Sequence, residues 1–172
     1  GSPMYYASRI AKKKYPEAKV VFIGPCIAKR KEAQRDECVD YVMTFEELHS
    51  VFRGLGIELA QANPYKVAYE SVCEAHGFAQ AGGVAGAVKS YLGPKADGIK
   101  MLQFSDFNKK SIGQMRAWAK TGKVDAQFIE MMACEGGCVT GPSAYNDSVS
   151  GKRQLNQDLL KRTLKYENYK EE

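Results

Sequence analysis

The chain has 172 residues, 44% hydrophobic and 26% charged, enough for one domain that buries about 70% of the surface its unfolded chain exposes, which excludes disordered and collagen-like classes. No apolar run approaches the roughly 18 to 20 residues needed to span a bilayer, and Gly1-Ser2-Pro3-Met4 lacks the charged-then-apolar layout of a signal peptide, so the protein is read as cytoplasmic with no membrane partner. The net charge of +5 is scattered, with no block of like charge longer than Lys12-Lys13-Lys14 or Lys29-Arg30-Lys31 and no basic face interleaved with aromatics, so no nucleic-acid partner is expected.

In chain order, Ser2 as cap and Pro3 at the first helical position open a helix with Met4, Ala7, Ala11 and Tyr15 at helical spacing, ending at Lys14 or Tyr15 before Pro16. Residues 19–24 are short, β-branched and apolar on both faces, the pattern of a covered parallel strand, and Cys26 lies just past their end. Residues 40–44 form a second strand, and Thr44 with Glu47 makes a capping box for a helix with Leu48, Val51, Phe52 and Leu55 on one face. The stretch 58–83 has little periodicity and reads as a long loop. A helix from Gly83 is stopped by Gly93-Pro94; residues 99–104 are a third strand; Ser111 and Gln114 suggest a capping box for the next helix, which runs to Gly122. Residues 126–132 are the fourth strand, and a charged amphipathic helix follows from Lys152.

This alternation predicts an α/β fold with a mostly parallel four-stranded sheet flanked by helices, residues 1–150 forming the main body and 151–172 a helical tail. Ligands of such sheets bind beyond the C-terminal ends of the strands, where Cys26, Cys134 and Cys138 all fall.

The five cysteines are an odd number in a chain that needs no disulfide staple, which favours reduced thiols with a chemical use. In Met132-Ala133-Cys134-Glu135-Gly136-Gly137-Cys138, two glycines let the backbone curl between two thiolates. Spacing alone leaves two readings, ligation of a cluster or metal and a pair of buried core thiols. Gly24-Pro25-Cys26 adds a third thiolate, and Lys29, one helical turn on, is either a surface lysine or a cation that lowers the thiolate pKa and binds an anionic ligand. Glu130 is either a proton carrier or a satisfied edge carboxylate. Cys73-Glu74-Ala75-His76 has zinc-like spacing but no second pair, and the reading favours a non-ligand role; Cys38 has no assigned chemistry, and His49 is placed on the surface.

Three ordered segments together, Phe22-Ile23-Gly24-Pro25-Cys26-Ile27-Ala28-Lys29, Val39-Asp40-Tyr41-Val42-Met43-Thr44-Phe45-Glu46-Glu47-Leu48 and the cysteine segment 132–138, resemble the catalytic domain of iron-only ([FeFe]) hydrogenases, from Ser2-Pro3-Met4 to about Gly141-Pro142. The resemblance implies one lobe of that domain and an H-cluster, a [4Fe-4S] cubane joined through a cysteine sulfur to a two-iron centre with carbonyl, cyanide and dithiolate ligands. By motif, Cys26 and Cys134 would be cubane ligands and Cys138 the thiolate that also bridges to the two-iron centre. Lys29 would hydrogen-bond a cyanide, Met132 would pack on the two-iron centre, and Phe78 belongs to the segment 77–83 that resembles the family's aromatic and glycine stretch beside the cluster. The implied activity is reversible proton reduction to hydrogen with electrons from ferredoxin or ferredoxin-like domains.

The sequence departs from the family pattern in three ways. The family's Thr-Ser-Cys-Cys-Pro motif, which supplies the fourth cubane ligand and a relay cysteine, does not occur in it. Glu135 stands where the best-known members have proline, and Ala79 and Ala81 replace residues usually glycine and threonine. The expectation is therefore a C-terminal part of a larger protein, inactive alone, its cluster site either loaded or empty, with an exposed apolar face prone to self-association. The alternative reading is a hydrogenase-like sensor or iron–sulfur assembly relative with little or no turnover; a zinc-binding scaffold using the same thiolates is a third.

Overall fold

Short apolar strands separated by helices can pair in parallel only through a crossover, and the chain uses that device twice. The computed structural model describes residues 1–37, 39–63, 65 and 71–168, so Cys38 and the Pro64 part of the expected 58–83 loop lie outside the described residues. The described chain forms two units, Gly1–Tyr65 with Gly141–Tyr145 and Lys66–Thr140 with Asn146–Glu172.

In the first unit, α1 (Pro3–Lys14) starts as its sequence suggests: Ser2 Oγ accepts from Tyr5 N–H at 3.4 Å. Its buried side is Met4 and Ser8, while Ala7 is exposed and Tyr15 is 57% exposed, so the inward stripe is rotated from the expected one. Strand β1 (Val21–Ile23) pairs in parallel with β2 (Tyr41–Met43), Phe22 opposite Val42, and the crossover between them is α2 (Ala28–Asp36). That helix carries no readable apolar stripe, because only Ala33 of its nine residues is buried. The core is small: Met4, Ala33 and Val39, with Val20, Phe22 and Val42 packed against them. Thr44 and Glu47 close the expected capping box of α3 (Phe45–Gly54), with reciprocal bonds of 3.2 and 2.8 Å. Its apolar face is only partly covered: Leu48 and Phe52 are half-buried, Val51 is 42% exposed, and Leu55, just past its end, is 69% exposed.

In the second unit, α4 (Cys73–His76) and a 3₁₀ turn at Gly77–Ala79 occupy the expected loop, followed by α5 (Gly83–Leu92). Strand β3 (Met101–Phe104) crosses through α6 (Lys109–Thr121) to its parallel partner β4 (Phe128–Met131), with Gln103 opposite Glu130. Helix α6 starts a turn earlier than its sequence suggested: Asn108 is the cap and Ser111 the reciprocating partner, each bond 3.0 Å. Asp147 likewise caps α7 (Ser148–Lys161) four residues before the expected start at Lys152.

The expected four-stranded sheet does not form among the described residues; the strands make two separate two-stranded parallel sheets. Hydrophobic pattern identifies strands but not their partners. In β1 the outward side chains of Val21 and Ile23 stay 45% and 41% exposed rather than meeting a second covering layer.

Asp40 ties the first unit together at the entry to β2. Its carboxylate accepts from Lys12 Nζ at 2.7 Å, Val20 N–H at 2.8 Å and Lys19 Nζ at 3.2 Å. The Lys12 bond foremost, then the Val20 bond, hold it well below the usual carboxylate range. A carboxyl whose pKa is lower folded than unfolded contributes stability above the unfolded value, about 3.9, and loses it as pH falls from there. The Asp40→Asn variant should therefore unfold at lower urea than wild type at pH 7, and the gap should close as pH drops below about 4. A gap that stays constant to acid pH would remove the ionic role.

Candidate metal centre

The segment that follows β4 is built for a tight curl. Gly136 and Gly137 have φ of +80° and +104°, conformations in which L side chains are strained. Gly137 N–H donates to Cys134 O at 3.1 Å, and a 3₁₀ turn at Cys138–Thr140 continues the curl. Thr140 Oγ1 lies 2.6 Å from Glu135 O and 2.9 Å from Gly137 O, so its one proton is shared between two carbonyls of this loop. Cys134 and Cys138 are half-buried at its two ends.

The loop is seated on the backbone of the 77–83 segment. Ala81 N–H donates to Gly136 O at 3.1 Å, and a Cβ at Gly137 would fall 2.6 Å from Ala81 N and 2.7 Å from Ala79 O. The same segment folds on itself so closely that a Cβ at Gly83 would sit 1.8 Å from Gly77 O.

What holds that segment is Glu130. Its side chain, 5% exposed on β4, accepts from Gly82 N–H through one oxygen and from Ala85 N–H through the other, both at 2.7 Å. These are the cap and third-position donors of α5, which has no capping side chain of its own because its cap residue is Gly82. Thus Glu130 serves as a capping carboxylate from a distant strand, each oxygen accepting from one amide. The sequence carries no signal for its partners, since a cap supplied from 45 residues away leaves no local motif.

In the first unit, Cys26 lies between β1 and α2. Pro25 O accepts from Ser143 N–H at 3.2 Å and Cys26 O from Lys29 N–H at 3.3 Å, which fixes the turn on both sides of the thiol. Lys29 Nζ is held 2.5 Å from Glu32 Oε2 in a half-buried ion pair. Burial pushes the Glu32 carboxyl up, but its bond to Lys29 and the polar groups of Ser2 outweigh this and hold it below its ordinary value. Its other oxygen, Oε1, is buried with no hydrogen-bond partner among the described residues, so Lys29 is the geometric contact that holds the carboxylate. An ammonium has three donors, so Lys29 keeps two after meeting Glu32. Glu32 was not singled out from sequence; its signal is the i,i+3 spacing from Lys29 on α2.

Met132 N–H donates to Phe104 O at 2.7 Å, extending the β3–β4 ladder to the edge of the cysteine loop. Phe78 lines an open apolar groove with Val88, Tyr91, Leu92 and Tyr166; in its segment it is the Ala79 and Ala81 backbone that meets Gly137. The zinc-like pair is otherwise engaged: Cys73 Sγ lies 3.6 Å from Leu159 O, and His76 Nε2 is 2.6 Å from Ser71 Oγ. His49 is half-buried with its ring 5.3 Å from that of Tyr145.

The cysteine loop fits a thiolate-bound iron–sulfur group. Its donors are two soft sulfurs, half-buried at the ends of a curl that rests on two positive-φ glycines and is seated on the 79–81 backbone. Cys134 follows β4 and Cys26 follows β1 at the same interval, so each lies beyond the C-terminal end of a parallel strand, though of different sheets. No three His, Cys, Asp or Glu side chains form a single-ion site among the described residues.

Two substitutions test the cradle. Gly137→Ala should destabilise the second unit by about 3 kcal/mol or more, since the left-handed backbone and the Ala79–Ala81 contact are both violated. Glu130→Gln, whose amide offers one acceptor where two are needed, should cost about 1 to 3 kcal/mol. Chemical denaturation measures both, and a neutral Glu130→Gln would mean that water replaces the lost acceptor.

Known proteins match this chain in sequence family and in fold. Residues 1–142 match the family model described as iron only hydrogenase large subunit, C-terminal domain. A solved [FeFe]-hydrogenase from work on oxygen inactivation of the H-cluster 2Fe subcluster superposes with a TM-score of 0.58 at 19% identity, covering 98% of this chain and 61% of that one. A hydrogenase structure describing stepwise H-cluster assembly gives 0.55 at 18%, covering 96% and 59%, and an [FeFe]-hydrogenase variant of Chlamydomonas reinhardtii gives 0.54 at 18%, covering 95% and 59%. At such identities the likeness is one of fold, and the chain spans about three fifths of those proteins. With 142 of its residues matched, the chain belongs to the iron-only hydrogenase large subunit, C-terminal domain family.

Proposed function

We infer that this chain supplies Cys26, Cys134 and Cys138 as thiolate ligands of a [4Fe-4S] cubane within an H-cluster, Cys138 also bridging to the two-iron centre. The whole protein then interconverts protons and hydrogen using electrons from ferredoxin or ferredoxin-like domains. The observation that carries this reading is the cysteine loop itself: two thiols on a glycine curl seated on the 77–83 backbone, which Glu130 holds in place.

When bound, the H-cluster supplies electron storage and the iron position at which hydrogen is made or split. The chain's own residues position and enclose it. Lys29 offers its two remaining N–H donors to an anionic cyanide, while Glu32 fixes where the ammonium stands. Met132, at the end of the β3–β4 ladder, presents its side chain from a backbone that is hydrogen-bonded in place. The fourth cubane ligand belongs to the Thr-Ser-Cys-Cys-Pro part of a longer protein, and that part also covers apolar surface such as Leu55 that would otherwise favour self-association. No helix among the described residues is long and apolar enough to cross a membrane, and reduced thiols suit the cytoplasm.

The full-length protein, matured under anaerobic conditions, should contain iron and acid-labile sulfide and show infrared bands of bound carbonyl and cyanide. Cys138→Ser should abolish those bands, and the 172-residue chain alone should evolve no hydrogen. A cubane without the bands would favour the sensor or assembly reading, zinc in place of iron the scaffold reading, and hydrogen evolution by the isolated chain would overturn its dependence on the missing part.

A further inference from the structure

The cysteine loop has a neighbour that neither the motifs nor the family match includes. Lys152, on α7, brings the end of its side chain onto Gly136, which stands midway in sequence between Cys134 and Cys138: a Cβ at Gly136 would run into Lys152 Nζ and Cε. A side chain at position 136 would have to displace the lysine's end. We propose that Lys152 is a fixed cation of the cysteine loop, a positioning residue that favours negative charge on a cluster held by Cys134 and Cys138 and so raises its reduction potential.

Three observations converge on this role. The placement is anchored next door, where buried Gly151 packs so closely that a Cβ there would meet Val139 Cγ2 at 3.3 Å and Val139 O at 3.5 Å. Val139 directly follows Cys138, so the contact that seats α7 also seats the lysine on the loop. Asp147 fixes the start of the helix by accepting from Val149 and Ser150 N–H, each at 3.0 Å. Lys152 is half-buried and makes no ion pair among the described residues, in contrast to Lys12, Lys29 and Lys100, each of which meets a carboxylate. A half-buried ammonium without a carboxylate is stabilised by an anion brought to it, and a thiolate-ligated iron–sulfur cluster is such an anion. Reduction adds one electron to the cluster, so a nearby fixed positive charge stabilises the reduced form more than the oxidised one. The family match ends at residue 142, before α7, so this cation lies outside the matched region.

The inference rests on the cluster reading above, and the test separates their failures. The full-length protein, reconstituted anaerobically with iron and sulfide, is titrated by potential and followed by electron paramagnetic resonance for wild type, Lys152→Met and Lys152→Arg. Lys152→Met, apolar and of similar length, should make the cluster about tenfold harder to reduce, a fall of about 59 mV for a one-electron couple, at unchanged iron content and thermal stability. Lys152→Arg should stay near wild type, because it restores the charge. Lys152→Gln repeats the neutral measurement if the methionine variant does not fold. Loaded neutral variants with the wild-type potential overturn the proposal and leave the cluster reading standing, as do methionine and arginine variants that shift alike. A wild type that binds no iron–sulfur cluster overturns both.

Discussion

The second unit depends on a single carboxylate. A helix beginning with glycine has donors that its own cap cannot satisfy, and those of α5 are met by Glu130, reaching across from β4 with one oxygen for each of two amides. Because Glu130 stands on the strand that delivers Cys134, the same bond that ends the α5 problem also fixes the 77–83 segment against the cysteine loop. The carbonyl of Gly136 and the bare α-carbon of Gly137 then settle onto the backbone of that segment. Loop, strand and helix are joined in one circuit, closed on one side by the Glu130 carboxylate and on the other by the Gly136 and Gly137 backbone, and the two thiols stand at the ends of that loop.

The first unit solves a similar problem with ions instead of amides. Cys26 sits in a turn held by Ser143 and Lys29 N–H groups, and the Lys29 ammonium is pinned to Glu32 on the same helix. An ammonium held this way keeps its direction without being spent, since a monodentate carboxylate contact leaves two donors. At the other end of the sheet, Asp40 gathers two lysines and a strand amide, joining α1 to the β1–β2 pair. Each unit thus has a carboxylate whose partners come from elsewhere in the chain, buried Glu130 in the second and exposed Asp40 in the first, and each places a thiol just beyond a strand.

Local signals read well from the residues. The Ser2 cap, the Thr44–Glu47 capping box, the α5 helix opening at Gly83 and all four strands follow from short-range chemistry that the unfolded chain already carries. Signals of intermediate range misled: Asn108 took the cap expected of Ser111, and α2 escaped notice because a helix with one buried residue shows no stripe. Pairing failed as an expectation for a different reason. Four apolar strands in an alternating pattern are compatible with one sheet or with two, and nothing in the residues of a strand names its neighbour.

By itself, then, the sequence determined the chemistry: five cysteines, three of them after strands, a lysine one turn beyond Cys26, a double glycine between two thiols, and motifs that place the chain among iron-only hydrogenases. Those are properties of residue type and close spacing. Tertiary structure alone decided that the strands form two pairs, that Glu130 is a cap, that Glu32 holds Lys29, and that α7 lays Lys152 on Gly136. Most of these join residues far apart in the chain, where the partner of a charge or an amide is set by packing and leaves no trace in local pattern; the Lys29–Glu32 spacing was there to be read, but only the fold showed that the ion pair forms.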